Sequence, residues 1–167
     1  MDHSFSLEYA GIKLIPLDAD TSEKYRLLRN NPHIGKWFTY KGTIGSEQQK
    51  KWFEKYLRNS HEVMFAILDD KGNFLGCNSI YDIEENGTAE YGRLIIDPTY
   101  SGMGYGYKAT YAAAQIARIQ MNLQCLKLEV YEDNFAAIQS YKKAGFVETG
   151  AIKDEQGNTI ITMELKV

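Results

Sequence analysis

The chain has 167 residues, a formal net charge of −3, and 44% hydrophobic against 25% charged residues. That length supports one well-buried core rather than two, and the acidic balance excludes a general nucleic-acid binder, which carries a clear basic excess. No stretch approaches the ~20 apolar residues of a membrane span, and Met1-Asp2-His3-Ser4 lacks the basic and apolar regions of a secretory signal, so the expected location is cytoplasmic, with no membrane partner.

In chain order, Leu7 to Leu17 reads as a strand or short hairpin, and Thr21 to Asn30 as a first helix capped by Asp20 or Thr21 and ended by Pro32. Ser46-Glu47-Gln48-Gln49 matches a capping box. Trp52, Phe53, Tyr56 and Leu57 follow at one-face helical spacing, so a second helix runs to about Asn59. From Glu23 to Arg58 the cations Lys24, Arg26, Arg29, Lys36, Lys41, Lys50, Lys51, Lys55 and Arg58 outnumber Glu23, Glu47 and Glu54. They form either a solvated helical face or a lobe that meets an anionic substrate.

Val63 to Leu68, Phe74 to Ile83 and Thr88 to Ile96 read as consecutive antiparallel strands joined by hairpin chemistry at Asp69 to Asn73 and Glu85 to Gly87. Ala109, Ala112, Ala113, Ile116 and Ala117 then recur along one stripe of a third helix, whose small side chains let it lie close on a sheet. Leu126 to Tyr131 is a further strand, and Asn134 caps a fourth helix that stops at Gly145, with Phe146 packing back. Val147 to Ala151 and Thr159 to Val167 close the chain as a hairpin around Gln156-Gly157-Asn158. Cys77 and Cys125 fall in strand-like runs and read as buried apolar positions. The three histidines, His3, His33 and His61, show no metal-ligand spacing with them, and no metal is expected.

Between the third strand and third helix lies Ile95-Ile96-Asp97-Pro98-Thr99-Tyr100-Ser101-Gly102-Met103-Gly104-Tyr105-Gly106. Glycines at every second position remove the Cβ atoms that would hold a ligand off the backbone, and the amides of a helix start attract a pyrophosphate. A Walker loop fails, because Lys108 follows Tyr107 and precedes Ala109. A dinucleotide fingerprint is weak, because Tyr107 stands where its third glycine belongs. An acyl-CoA turn and an ordinary strand-to-helix turn remain.

The later segment Asn134-Phe135-Ala136-Ala137-Ile138-Gln139-Ser140-Tyr141-Lys142-Lys143-Ala144-Gly145-Phe146 adds a second motif. Together the two resemble the GNAT superfamily of acetyl-CoA-dependent N-acyltransferases. In that family an Arg/Gln-x-x-Gly-x-Gly/Ala turn binds the CoA pyrophosphate, and an Asn-x-x-Ala-x-x-x-Tyr-x-x-x-Gly-Phe stretch follows the next strand. Gly104 and Gly106 match the first motif; Asn134, Ala137, Tyr141, Gly145 and Phe146 match the second. Ser101 departs from it, replacing Arg or Gln, although backbone amides can still hold the pyrophosphate.

The resemblance implies an α/β (α+β) fold: a mixed, mostly antiparallel sheet of about seven strands splayed at a CoA cleft, with about four helices. It implies a single acetyltransferase domain over 1–167, with 1–62 as acceptor-side lobe and 63–167 as acetyl-CoA-binding core. The implied cofactor contacts are Leu94, Ile95, Ile96, Ser101, Gly102, Met103, Gly104, Tyr105, Gly106, Asn134 and Tyr141. Asn134 and Tyr141 are two helical turns apart and so share a face.

Acetyl transfer needs a neutral amine, a donor for the oxyanion and a proton for the departing thiolate. Tyr141, whose phenol has a reference pKa of ~10, is the candidate acid. Glu90 is the candidate base with Glu129 as its alternative, strand parity deciding between them. A backbone amide at Ile95 or Ile96 is the candidate oxyanion donor. The cysteines lack a nucleophile motif, so transfer is expected to be direct.

For the acceptor, the N-terminal segment is similar to GNAT members acting on amino sugars of nucleotides and on protein N-termini. The expectation is a small amine, first an amino sugar, nucleotide-linked or free, bound by Arg29, Asn30 and Trp37. A protein or ribosomal-protein amine and a non-catalytic acyl-CoA sensor remain as alternatives, as does a module with no CoA site. An exposed edge strand near the C-terminus offers a route to a homodimer.

Overall fold

The structure, a computed structural model, describes residues 2–38, 40 and 42–167; Met1 and Lys41, used above, lie outside the described residues. A hairpin opens the chain, β1 (Leu7–Tyr9) and β2 (Ile12–Pro16), turning through Ala10 and Gly11 at positive φ. Helix α1 (Ala19–Arg29) follows, then one short turn of helix, α2 (Pro32–Gly35), and α3 (Ser46–Leu57). Strands β3 (Glu62–Asp69), β4 (Phe74–Tyr81) and β5 (Thr88–Ile96) lead to α4 (Tyr105–Ile119), β6 (Cys125–Tyr131), α5 (Phe135–Ala144), β7 (Val147–Lys153) and β8 (Thr159–Lys166).

The eight strands form one sheet in the order β1-β2-β3-β4-β5-β6-β8-β7, antiparallel throughout except for the β5–β6 pair. The count exceeds the expected seven because the opening segment contributes two strands. The helices include the expected four and the short α2. Strand β2 pairs with β3, so the sheet runs unbroken from the N-terminal lobe into the core. At the far end β7 is an edge strand, exposed at every residue. Among the described residues, no helix is long and apolar enough to cross a membrane.

The first cap differs from expectation. Asp18 caps α1: its carboxylate accepts from the Thr21 amide at 2.8 Å, and Thr21 Oγ1 accepts from the Asp18 amide at 2.9 Å. Thr21 is therefore the reciprocal partner in the box, three residues inside the helix. The second cap also shifts, because Gly45 precedes α3 without a side-chain cap and Ser46 is its first helical residue. Gln49 turns inward instead, where Nε2 donates to the Ser22 carbonyl at 3.1 Å and to Ser22 Oγ at 2.9 Å, tying α3 to α1.

Two cores flank the sheet, and β3 divides between them with period 2. Val63, Phe65 and Ile67 join Ala109, Ala112, Ala113, Ile116 and Ala117 of α4 on one face, while Met64 and Ala66 join Tyr25 of α1 and Tyr56 of α3 on the other. A buried polar chain ties α4 to the sheet. Asn78 Nδ2 donates to Tyr91 Oη at 3.2 Å, Tyr91 Oη lies 3.1 Å from Thr110 Oγ1, and Thr110 Oγ1 donates to the Gly106 carbonyl at 2.8 Å. With Thr110 and Asn78 both donating, the Tyr91 hydroxyl supplies the remaining proton to Thr110.

Removing the central hydroxyl strands buried partners on two elements. Tyr91→Phe is expected to destabilise the protein by about 1–3 kcal/mol in urea unfolding, with an unchanged m-value; a loss below about 0.5 kcal/mol would contradict the network.

Candidate active site

Strand β5 changes face partway along. Ala89 and Tyr91 pack into the α4 core, whereas beyond Arg93 it is Leu94 and Ile96 that pack there and Ile95 that turns to the opposite core. The cause is a β-bulge. Ser79 pairs with Gly92 and Cys77 with Ile95, so Arg93 and Leu94 together oppose Asn78, and Arg93 takes the left-handed conformation at φ 49°. Gly76 makes the close approach that follows, since a Cβ there would lie 1.9 Å from the Ile95 carbonyl oxygen.

On its other side β5 pairs with β6 only at Thr88, Ala89 and Glu90. Strand β6 continues against β8 as far as Tyr131, while β5 continues against β4 as far as Ile96. A wedge opens between them, and beyond Glu90 the β6-facing edge of β5 has no strand partner among the described residues. Such an edge offers amides and carbonyls to an extended ligand.

Two adjoining cavities occupy the wedge. The first, of about 470 Å³, is lined by Leu94, Ile95, Ile96, Ser101, Gly102, Gly104, Tyr105, Gly106 and Asn134, with Ser140 of α5. Gly104 caps α4 in the left-handed region, and the first helical bond runs from the Lys108 amide to the Gly104 carbonyl at 3.1 Å. The amides of Tyr105, Gly106 and Tyr107 thus have no acceptor within the helix. Gly102 also has positive φ, and a Cβ on Gly102 or Gly104 would meet open space. An unpaired strand edge leading to a helix start with free amides fits the pantetheine arm and pyrophosphate of CoA.

The second cavity, of about 340 Å³, shares Trp37, Phe38, Leu94 and Asn134 with the first and adds Tyr81, Gly92, Arg93, Glu129, Tyr131 and Tyr141. Tyr141 lies in its wall, packed edge-on against Tyr91 at 6.0 Å. Burial, with Tyr91 and Tyr81 nearby, pushes its phenol far above the ordinary tyrosine pKa. Asn134 Oδ1 accepts from the Ala137 amide at 3.4 Å as the cap of α5, so the cap and Tyr141 meet the same cavity.

Strand parity puts both candidate bases on one side of the sheet. Glu90 pairs with Lys127, and Glu129 stands two residues further along β6, where it lines the cavity. Half-buried Glu90 sits nearer the closed end of the wedge. Burial first, and then Glu129, raise its pKa above the ordinary value, while Lys127 opposes the shift.

Other expected contacts lie elsewhere. Met103 is 61% exposed and lines neither cavity. Arg29 and Asn30 are likewise absent from both walls and are engaged in holding the segment after α2. Arg29 Nη2 donates to the Tyr40 carbonyl at 3.3 Å and its guanidinium stacks 3.7 Å over Phe38. Asn30 Nδ2 donates to the Ile44 carbonyl at 2.9 Å and its Oδ1 accepts from the Ile44 amide at 2.8 Å. Trp37 does reach the junction of the two cavities. Two of the lobe's cations are compensated locally, Lys24 on Asp20 at 2.7 Å and Arg26 on Glu23 at 2.5 Å. Tyr81 and Arg93, not anticipated as site residues, complete the wall of the second cavity.

Comparison with known proteins agrees with this architecture. Residues 28–146 match the model of the acetyltransferase (GNAT) family. An uncharacterized N-acetyltransferase of Methanocaldococcus jannaschii is 30% identical over 108 residues, 62% of this chain and 47% of that protein, so the match spans about half of that relative's length. A spermidine N(1)-acetyltransferase of Vibrio cholerae is 25% identical over 129 residues, 77% of this chain and 74% of the relative. The crystal structure of the Vibrio cholerae spermidine N-acetyltransferase in complex with CoA and spermine superposes with a TM-score of 0.87 at 22% identity, covering 93% of this chain and 95% of that one. The family match takes in most of the chain and both motifs, and the chain belongs to the GNAT family of acetyltransferases.

Proposed function

We propose that the protein moves an acetyl group from acetyl-CoA directly to a primary amine of a small cationic acceptor of the polyamine class. The observation that carries this reading is the wedge itself: a free strand edge and helix start on one side, Glu129 and Tyr141 in the wall of the adjoining space, and Glu90 at the last β5–β6 pair where the wedge closes.

Acetyl-CoA supplies the acetyl group as a thioester. The free β5 edge holds the pantetheine arm, and the α4 amides hold the pyrophosphate without help from a side chain at Ser101. The acceptor nitrogen forms the new bond to the carbonyl carbon, the carbon–sulfur bond breaks, and the sulfur leaves as thiolate. Glu129 or Glu90 takes the ammonium proton, directly or through water; its raised pKa makes Glu90 a stronger base than an ordinary carboxylate. Tyr141 is the proton donor to the thiolate; burial keeps its phenol neutral but makes the proton harder to give up, so the transfer depends on the full negative charge of the departing sulfur. An amide at Ile95 or Ile96 stabilises the oxyanion. Burial raises the thiol pKa of Cys77 and Cys125, and neither lines the wedge, which supports transfer without a cysteine intermediate.

Charge selects the acceptor class. A nucleotide-linked amino sugar brings a diphosphate, which would meet the Glu129 carboxylate, whereas Arg29, the cation expected to receive it, is buried outside both cavities. A polyamine brings ammonium groups to carboxylates and aromatic faces, the arrangement that favours cations. The names of the relatives in Vibrio cholerae and Escherichia coli, both spermidine N(1)-acetyltransferases, point the same way.

Thiol release measured with spermidine, spermine, a nucleotide-linked amino sugar and a peptide amine is expected to give the highest kcat/KM for a polyamine. Preference for the nucleotide sugar would overturn the acceptor reading, and no release with any amine despite CoA binding would overturn catalysis. Tyr141→Phe is expected to lower kcat about 10²–10⁴-fold while CoA still binds in calorimetry; unchanged kcat would remove Tyr141 from the acid role.

Glu90 adds a signature in stability. Its folded pKa is raised, so the native state holds the extra proton and stability falls as pH climbs from the ordinary carboxylate pKa through the raised one. Glu90→Gln is therefore expected to raise the melting temperature more at pH 7 than at pH 4. An equal effect at both would contradict the raised pKa.

A further inference from the structure

The transfer reaction leaves Arg93 without a task, although its backbone and side chain are both unusual. A residue with a Cβ at φ 49° is disfavoured, and such a conformation persists only where its surroundings over-determine it. Here β3 and β4 supply the restraint. The half-buried Arg93 guanidinium pairs with Glu62, the first residue of β3, itself 7% exposed, and stacks on the Tyr81 ring of β4 at 4.5 Å from the centroid. Glu62 in turn accepts from Asn59 Nδ2 at 3.3 Å and lies opposite Tyr81 in the sheet register. Tyr81 also roofs the residue before the bulge, since a Cβ on Gly92 would fall 3.0 Å from its hydroxyl oxygen.

The clamp closes on the point where β5 exchanges faces. The geometry points to Arg93, gripped by Glu62 and Tyr81, as a positioning residue that locks the bulge and thereby aims the Leu94–Ile96 edge at the thioester arm of the cosubstrate. This inference rests on the proposed transfer reaction. Arg93 acts through the backbone it fixes: loosening it lets the edge amides drift, which weakens the grip on pantetheine and moves the oxyanion donor away from its target.

A buried ion pair with no such role would produce a different pattern. Removing one partner strands the other's charge and lowers stability, while removing both restores much of it. The test compares the unmodified protein with Arg93→Gly, Glu62→Gln and the double variant E62Q/R93G. Glycine adopts the left-handed backbone without strain, so the bulge stays accessible but is no longer held. Each protein is measured well below its melting temperature for CoA affinity by calorimetry, and for kcat and KM toward acetyl-CoA and a polyamine.

In Arg93→Gly and in the double variant, CoA affinity is expected to fall about five- to tenfold, and kcat about 10–100-fold. The double variant is expected to melt closer to the unmodified protein than Arg93→Gly does, without regaining CoA affinity. Lower melting temperatures with unchanged CoA affinity and kcat would reduce the clamp to a structural ion pair and overturn the inference alone. Failure of the unmodified protein to bind CoA would overturn the proposed reaction and the inference together.

Discussion

One extra residue in β5 is the constraint on which the cleft depends. Without the bulge opposite Asn78, β5 would keep a single alternation, and Ile95 would compete with Tyr91 for the core beneath α4. With it, the strand bends, its twist increases, and the pairing with β6 stops after Glu90. The two halves of the sheet then separate, each still satisfied on its outer side by β4 or β8. Leaving backbone groups unpaired inside a sheet costs free energy. A ligand that completes the hydrogen bonding recovers it, and so the opening doubles as a binding edge.

The rest of the molecule holds that opening in place. The chain from Asn78 through Tyr91 and Thr110 ends on the Gly106 carbonyl, fixing the first turn of α4 to the same two strands that carry the bulge. The helix start and the free edge are therefore set relative to each other by buried hydrogen bonds rather than by a loop. On the opposite side, α1, α3 and the segment after α2 bring Trp37 and Phe38 across the mouth, with Arg29 and Asn30 pinning that segment to α1. Arg29 and Asn30, expected as acceptor ligands, instead hold the segment that carries Trp37 and Phe38.

The parts of this arrangement legible in the sequence are those governed by local rules. The glycine turn, the Asn134 cap and the Gly145 stop each follow from a backbone conformation that few residue types adopt, and the β3 to β5 hairpins follow from turn chemistry and alternation. The caps of α1 and α3 shifted for different reasons: Asp18 and Thr21 form a local reciprocal box one turn earlier in the chain, whereas Gln49 is drawn away from the α3 cap to Ser22 on another helix. The tasks of Arg29 and Asn30 were not legible, because charge counts do not reveal whether a cation faces solvent, a carbonyl or an aromatic ring. The bulge itself was not legible in the sequence. The signal was partial: Arg93 interrupts the odd apolar positions Ala89 and Tyr91, but Leu94, Ile95 and Ile96 are all apolar, so the pattern does not show which phase the strand resumes.

Amide hydrogen exchange across residues 88–107, with and without CoA, tests the central claim most directly. If the unpaired edge of β5 and the start of α4 form the cosubstrate site, CoA slows exchange in the Leu94–Ile96 strand and at the amides of Gly102 to Tyr107, and leaves the β7–β8 hairpin unchanged. Exchange that is unaltered in both segments while CoA is bound, or protection confined to another part of the sheet, would contradict the account.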